Sequence, residues 1–179
     1  MTLNDIIVAA LAQLDRGHDA ETVAIYRSRL TQYANEAQKD LAETLGFTRT
    51  EEVPTEDGIL YLYTLERRCT RIERICQRGK SVPFRAEPKP GLIMLPYAEN
   101  AVVTYRFVPN ELVNDNDVSE LDDYLHPLIV SYVVGRERMG GDVATQDGAN
   151  IYLSMYNAAK AKLRGYLKSD DAFRIVNRW

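Results

Sequence analysis

The residues best suited to chemistry are basic side chains in the stretch LERRCTRIERICQRGK, from Leu65 to Lys80. Five arginines and one lysine are set against two glutamates, which gives this stretch a net charge of +4 in a chain of net charge −4. The arginines are Arg67, Arg68, Arg71, Arg74 and Arg78. Guanidinium groups bind carboxylates and phosphates through charged hydrogen bonds, so the cluster predicts an acidic protein surface or a nucleic-acid backbone as its partner.

An acidic segment of opposite charge lies further along the chain. It carries six acids and no base between Glu111 and Asp123, a local net charge of −6. A chain with two complementary patches can join copies of itself head to tail, and the product is a ring if the rotation closes. The alternative interpretation is that the two charged patches are ordinary solvated loops. The eleven tyrosines favour an interface, because tyrosine is enriched at interfaces. We therefore expect the five arginines to form a subunit interface together with Asp115, Asp117, Glu120, Asp122 and Asp123.

Catalytic and metal-binding patterns are weak. His126 beside Asp122 and Asp123 could act as an acid/base group, but the same residues are expected in the first turn of a helix, where the dipole favours negative charge. No GxSxG, HExxH, GxGxxG or phosphate-loop motif occurs. A carboxylate pair for sugar hydrolysis stays open, because acids are plentiful. We predict no catalytic residue, and the chain is not expected to be an enzyme.

Composition limits the other classes of function. Cys69 and Cys76 have no zinc-ligand or CxxC spacing, so we expect reduced, inert thiols and neither a metal nor a cofactor. A dedicated DNA-binding protein usually has a basic total, whereas this chain has a pI of about 5.3. No apolar run is long enough for a membrane helix, and the apolar N-terminus lacks the positive charge of a secretion signal.

The elements that must position these residues begin with two helices. Thr2, with Asp5 in capping-box register, predicts a short helix that ends before Gly17. Asp19 predicts the start of a rod about 40 Å long that ends at Gly46. Its apolar stripe consists of Tyr26, Leu30, Tyr33, Ala34, Ala37, Leu41 and Leu45. Arg27, Gln38, Lys39 and Glu43 fall off that stripe and are predicted to face outward.

The period changes to that of strands between Phe47 and Pro109. Phe47–Val53, Ile59–Tyr63 and Ala101–Val108 are rich in β-branched or aromatic residues, or alternate in polarity. Asp57-Gly58 and Gly79-Lys80 are predicted turns. The basic stretch has apolar residues at helical spacing, yet Thr70–Gln77 followed by a glycine turn and Ser81–Ala86 favours a hairpin. We predict a turn followed by a strand.

Helices return after the acidic segment. Pro127 requires the third helix to begin near Asp122 or Asp123, and Gly140-Gly141 is expected to end it. A fourth helix is predicted from about Asp142 to Leu167, and it leaves the apolar tail KSDDAFRIVNRW. The predicted fold class is mainly α with a β insertion (α+β). We assign a bundle of about four helices to 1–46 and 120–168, a small antiparallel β-subdomain to 47–110, an acidic loop to 111–119 and an extended docking tail to 169–179.

Several segments, taken in order, resemble the head-to-tail connector, or adaptor, proteins of tailed bacteriophages. They are YANEAQKDLAE (33–43), the hairpin CQRGKSVPF, the strand VVTYRFVP, and LDDYLHPLIVSYVVGRERMGGD leading into ANIYLSMYNAAKAKLRGYL. The resemblance covers most of residues 1–170 and is one of pattern and order, since the family has no crisp motif.

This resemblance implies a structural virion protein of the neck, present in the host cytoplasm during assembly. It implies a ring of about twelve copies between portal and tail, which extends the DNA channel and offers a platform to the next neck or tail protein. Non-specific contact with genomic DNA in the channel is expected, and no membrane contact. The tail would bind portal through Phe173, Arg174, Ile175, Val176, Arg178 and Trp179.

Two questions stay open at this level. The arginine cluster is expected to meet the acidic loop of a neighbouring subunit, and contact with DNA is the rival interpretation. Some relatives in the family are reported to degrade cell walls, but no matching residue pair is visible here. A small acidic regulatory or nucleic-acid-contacting protein, or a cell-wall hydrolase with unrecognised carboxylates, are the alternative functions.

Overall fold

The chain forms an α+β fold in which two small antiparallel sheets are inserted between the second and third of four helices, as predicted. The computed structural model describes residues 1–86, 90–140 and 143–171, with side chains of the last range described at 148–163. The chain divides into a helical unit, formed by Met1–Leu45 and Pro109–Trp179, and a β unit, formed by Gly46–Val108. The helical unit holds 12 basic and 18 acidic residues, and the β unit 10 and 8, so their net charges are −6 and +2.

The first two helices begin at the predicted caps. Helix α1 (Leu3–Gln13) has a capping box in which the Thr2 hydroxyl accepts from the Asp5 N–H and the Asp5 carboxylate accepts from the Thr2 N–H. Helix α2 (Ala20–Leu45) follows Asp19, whose carboxylate accepts from the Thr22 N–H at 3.0 Å. These bonds satisfy N–H groups that have no partner within the helix. Gly46, with φ of 67°, follows the end of α2.

Helices α3 (His126–Arg138) and α4 (Val143–Asp171) complete the helical unit. A single 3-10 turn, Asp123–Leu125, leads into α3, so Pro127 lies in the first α-helical turn, where its missing N–H is harmless. Helix α4 ends at Asp171 rather than at the predicted Leu167, so residues 169–171 of the predicted tail are helical.

Helices α1 and α3 lie side by side in the same direction. At their N-terminal ends the Met1 amino nitrogen is 2.9 Å from His126 Nδ1. At their C-terminal ends the Arg138 guanidinium donates to the Gln13 carbonyl oxygen at 3.0 Å. The two ends of this helix pair therefore present different residues.

The core of the helical unit is aliphatic and closely packed. Its buried residues include Leu3, Ile6, Ile7, Leu11, Leu30, Leu41, Leu125, Ile129 and Val133. Gly135 on α3 allows a close approach to α4, because a Cβ there would lie 2.8 Å from Leu153 Cγ. One expectation for α2 was wrong: Gln38 is fully buried. Its amide group donates to the Asn110 carbonyl and accepts from the Ser119 hydroxyl, which compensates for its burial.

The β unit contains two sheets. The larger has the order β1-β7-β3-β4, formed by Thr48–Val53, Ala101–Phe107, Cys69–Gln77 and Lys80–Ser81. The smaller has the order β2-β6-β5, formed by Ile59–Tyr61, Leu92–Met94 and Arg85–Ala86. All pairs are antiparallel. Their shared core is built around Leu60, Ile75, Val103 and Tyr105.

The predicted hairpin after the basic stretch is correct in kind and wrong in detail. The turn is Arg78-Gly79, with φ of 53° and 70°, and not Gly79-Lys80. Only Lys80–Ser81 pairs with β3, whereas Arg85–Ala86 pairs with β6 in the smaller sheet. Pro83 accounts for the break, because it has no N–H to donate to a ladder.

Candidate functional site

The basic stretch forms strand β3, and most of its charged side chains lie on the outer face of the larger sheet. Register shifts between Cys69 and Arg71 and between Ile72 and Arg74 mark two β-bulges. Each bulge adds one residue on β3, so Ile72 and Ile75, three positions apart, both contribute to the core. The exposed positions of β3 are Thr70, Arg71, Glu73 and Arg74.

The predicted interface arginines differ in how far they are already paired. Arg78 forms two-pronged hydrogen bonds with Glu99 and stacks over the Tyr97 ring at 4.3 Å. This pairing lowers the pKa of Glu99. Arg67 lies 5.5 Å from the Phe107 ring centroid and makes further contacts.

The outer-face arginines are less well paired. Arg71 is 69% exposed and 3.7 Å from Glu73, whose carboxylate binds Arg106 more closely, at 2.5 Å. Arg68 and Arg74 are exposed, and their side chains have no hydrogen bond or ion pair within the described ranges. Unneutralised guanidinium groups on an open sheet face can bind carboxylates or phosphates of a partner.

The acidic segment is bound largely within its own unit. Asp115 pairs with Arg27, and the Glu111 carboxylate lies 2.6 Å from Lys39 Nζ. The Asp117 carboxylate accepts from the N–H groups of Asn114 and Val113, and these bonds lower the pKa of Asp117. Asp115 and Glu111 therefore fix the segment along α2, and Asp117 stabilises a turn within the segment.

The end of the acidic segment is different. Asp122, Asp123 and Tyr124 are all exposed, and we call them the acidic tip. The Asp123 side chain is 100% exposed, and the Tyr124 residue is 63% exposed. Of the predicted interface acids, Asp122 and Asp123 are thus accessible to a partner. Glu120 is half-buried and makes contacts of its own. Contact between copies of the chain stays a prediction.

Polar residues of the α2 segment YANEAQKD bind several parts of the helical unit. The Asn35 amide accepts from the Leu112 N–H and donates to the Leu112 carbonyl, at 2.8 and 3.0 Å. Gln38 holds Asn110 and Ser119. Glu36 accepts from the Tyr132 hydroxyl of α3 at 3.3 Å. Neighbouring sides of α2 therefore contact the connecting segment and α3.

Asp40 extends this network to α4. Its carboxylate accepts from the buried Tyr156 hydroxyl at 2.6 Å and from the Lys160 ammonium at 2.5 Å. Burial, with the nearby Asp40 charge, raises the pKa of Tyr156, which keeps the phenol protonated. The Tyr132 and Tyr156 rings lie 5.1 Å apart. The polar positions of one quoted segment thus connect three helices.

His126 lies in the core rather than in an open site. The residue is 2% exposed, and its Nε2 has no hydrogen-bond partner within the described ranges. Burial lowers the pKa of His126, and the positive Met1 amino group lowers it further. Asp123 is 3.4 Å from Nδ1. A neutral, enclosed imidazole of this kind has no exposed nitrogen with which to reach a substrate proton.

A cleft of about 440 Å³ lies at the C-terminal ends of α1 and α3. Its wall includes Arg16, Tyr26, Tyr33 and Arg138, and we call it the arginine–tyrosine cleft. The sequence analysis did not identify it, because it joins residues that are more than 100 positions apart. Basic residues near two helix C-termini were the available signal, but they also suit the helix dipole alone.

The six predicted portal-binding residues, Phe173, Arg174, Ile175, Val176, Arg178 and Trp179, lie outside the described residues. Within the described ranges, no group of three or more His, Cys, Asp or Glu side chains is arranged to hold a metal ion. Both cysteines are half-buried free thiols, and burial raises the pKa of Cys69. None of the described helices combines the length and apolarity needed to cross a membrane.

No protein-family model matches the chain, and no curated protein matches it.

Proposed function

We propose that this chain is a structural protein of a tailed-bacteriophage neck. Copies of it form a ring between portal and tail, which extends the DNA channel and offers a platform to the next neck or tail protein. The ring has about twelve copies, and the chain works without catalysis, as the resemblance implies. It joins the virion after assembly in the host cytoplasm.

The observation that carries this proposal is the role of the segment YANEAQKD. Asn35 and Gln38 bind the segment that connects β7 to α3, Glu36 binds α3 and Asp40 binds α4. These residues belong to the part of the sequence that resembles the connector family. A resemblance in residues that hold the helical unit together supports a shared fold more strongly than a resemblance in solvated positions. The reason is that buried polar contacts allow few other residue types at those positions.

The order of elements adds a second support. The hairpin CQRGKSVPF contains the β3–β4 turn, VVTYRFVP contains most of β7, and the two tyrosine-rich segments contain α3 and most of α4. Opposite net charges of the two units, −6 and +2, are also favourable for contacts between copies.

Portal binding is assigned to the chain after α4. Removing residues 172–179 leaves the described part of α4, Val143–Asp171, intact. The truncated chain should keep its helical circular dichroism signal and lose co-purification with the portal protein encoded in the same genome. Undiminished co-purification would show that the tail does not bind portal.

The outer face of the larger sheet supports a second candidate partner, genomic DNA. Arg68 and Arg74 are exposed and unpaired within the described ranges, and a phosphate backbone suits such groups as well as an acidic loop does. Replacing Arg71 and Arg74 by Glu separates the two partners. Lost ring formation supports contact between subunits, whereas intact rings with altered genome retention support contact with DNA. Arg85→Glu, at an exposed arginine of the smaller sheet, is the matched control.

A further inference from the structure

We propose that the acidic tip of one copy occupies the arginine–tyrosine cleft of the next copy. This inference rests on the proposed function, because it supplies a contact that joins subunits into a ring. It assigns the partner of Asp122 and Asp123 to residues at the ends of α1 and α3, rather than to the arginines of β3.

The arginine–tyrosine cleft is rich in unused hydrogen-bond donors. The exposed Arg16 side chain has no partner within the described ranges, and neither the Tyr26 nor the Tyr33 hydroxyl has a hydrogen bond there. Accessible donors that lack partners favour a group that brings acceptor oxygens.

The acids of the cleft do not cancel this preference. Glu137 is paired with Arg29, whose guanidinium lies 2.8 Å from its carboxylate. Asp15 is exposed at the rim. The exposed guanidinium group of Arg16 is left to receive an incoming carboxylate.

The acidic tip carries acceptor oxygens that can pair with the donors of the cleft. Asp122 and Asp123 supply acceptor oxygens, and Tyr124 supplies a large aromatic side chain that is 63% exposed. Acid–arginine pairs and tyrosine anchors are common among the residues that contribute most to interfaces. The other acids of the segment are less free, because Glu111 and Asp115 pair with residues of α2.

One copy does not fill its own cleft. The acidic tip directly precedes α3, and the cleft lies beyond its last turn, so about 20 Å of helix separates them. Parallel α1 and α3 place the tip at one end of the pair and the cleft at the other. A contact between unlike ends is heterologous, and it gives a ring if the rotation closes or a filament if it does not.

Charge reversal tests the contact directly. Arg16→Glu and Asp123→Arg should each weaken association between copies at least about tenfold, since each places like charges together. The variant that combines both substitutions should recover much of the loss, because the two reversed charges then attract each other across every contact. Tyr124→Ala should weaken association without lowering the melting temperature, because the ring is exposed.

Glu21→Arg is the matched control for Asp123→Arg, since it also reverses an exposed acid in the first turn of a helix. Light scattering should be recorded for the chain alone and with portal. Variants that assemble like the unchanged chain would overturn the cleft contact and leave the ring function standing. A chain that never assembles, with or without portal, would overturn both.

Discussion

Among single residues, His126 shows most directly how burial changes the pKa of a side chain. Its imidazole is 2% exposed and lies beside the Met1 amino group, and burial is the main cause of its lowered pKa. The acids Asp122 and Asp123 act in the opposite direction but do not restore the pKa. The folded chain therefore holds a neutral ring where the unfolded chain has an ordinary histidine.

This difference predicts how stability depends on pH. An unfolded histidine has a pKa of about 6.5, so His126 of the unfolded chain binds a proton below that pH. In the folded chain His126 stays unprotonated until the pH reaches its lowered pKa. The free energy of unfolding should be highest above about pH 6.5 and should fall as the pH drops toward the lowered pKa of the folded chain. The size of the fall is about 1.4 kcal/mol for each tenfold difference in the proton affinity of His126 between the unfolded and folded chains. Denaturant titrations at several pH values measure this. The His126→Asn variant should lack this decrease in unfolding free energy at low pH. The His18→Asn variant, changed at an exposed site, should still show it.

The Tyr156 hydroxyl supports a second prediction for a single atom. It donates to the Asp40 carboxylate from a residue that is 2% exposed. Tyr156→Phe should lower the free energy of unfolding by about 1–3 kcal/mol, because the carboxylate loses a donor in a partly buried site. Tyr124→Phe removes an exposed hydroxyl and should change stability by less than about 0.5 kcal/mol. Equal effects in the two variants would contradict the proposed role of the Asp40 network.

For secondary-structure elements, the two hairpin turns provide a matched pair. Gly58 and Gly79 have φ of 81° and 70°, so alanine at either position meets the same backbone penalty. A Cβ at Gly58 would lie 2.9 Å from the Leu95 carbonyl oxygen, whereas a Cβ at Gly79 would meet nothing within 4 Å.

Gly79→Ala should therefore cost about 1–2 kcal/mol of unfolding free energy. Gly58→Ala should cost about 1–3 kcal/mol more, because backbone near Leu95 must move to make room. Thermal or denaturant unfolding of the two variants measures the difference. If the two costs were the same, the close approach at Gly58 would not restrict the turn.

Strand β3 shows how far local pattern can predict this fold. Cys69, Ile72 and Ile75 are three positions apart, a spacing that is typical of a helix. Two bulges allow the same spacing in a strand, and a bulge depends on the register with β7, which the local sequence does not contain. The glycine turn and the β-rich flanks nevertheless predicted a strand correctly.

The helices were predicted more fully than their polar contacts. Caps at Thr2 and Asp19 and the stop at Gly46 are local signals, and the structure has all three. Gln38 was predicted to face outward because it is polar, yet it is buried by partners at Asn110 and Ser119. Those partners are more than 70 positions away, so a helical period alone does not reveal them.

In the whole molecule, the charge pattern located the basic and acidic segments correctly. It did not reveal which of their charged side chains are already paired within the chain. Asp115 and Asp117 were predicted to lie at an interface, whereas Arg27 and backbone N–H groups already bind them. Asp122 and Asp123 remain exposed. The arginine–tyrosine cleft could not be foreseen, because it forms only when α1, α2 and α3 pack together.

We propose that copies of this chain assemble into a closed ring that binds portal. The most direct measurement is molar mass by light scattering, at low and high salt, with and without the portal protein encoded in the same genome. We predict a discrete multiple of the 20.4 kDa chain mass that co-elutes with portal and weakens at high salt, where charged contacts are screened. A single-chain mass under all four conditions would contradict the account.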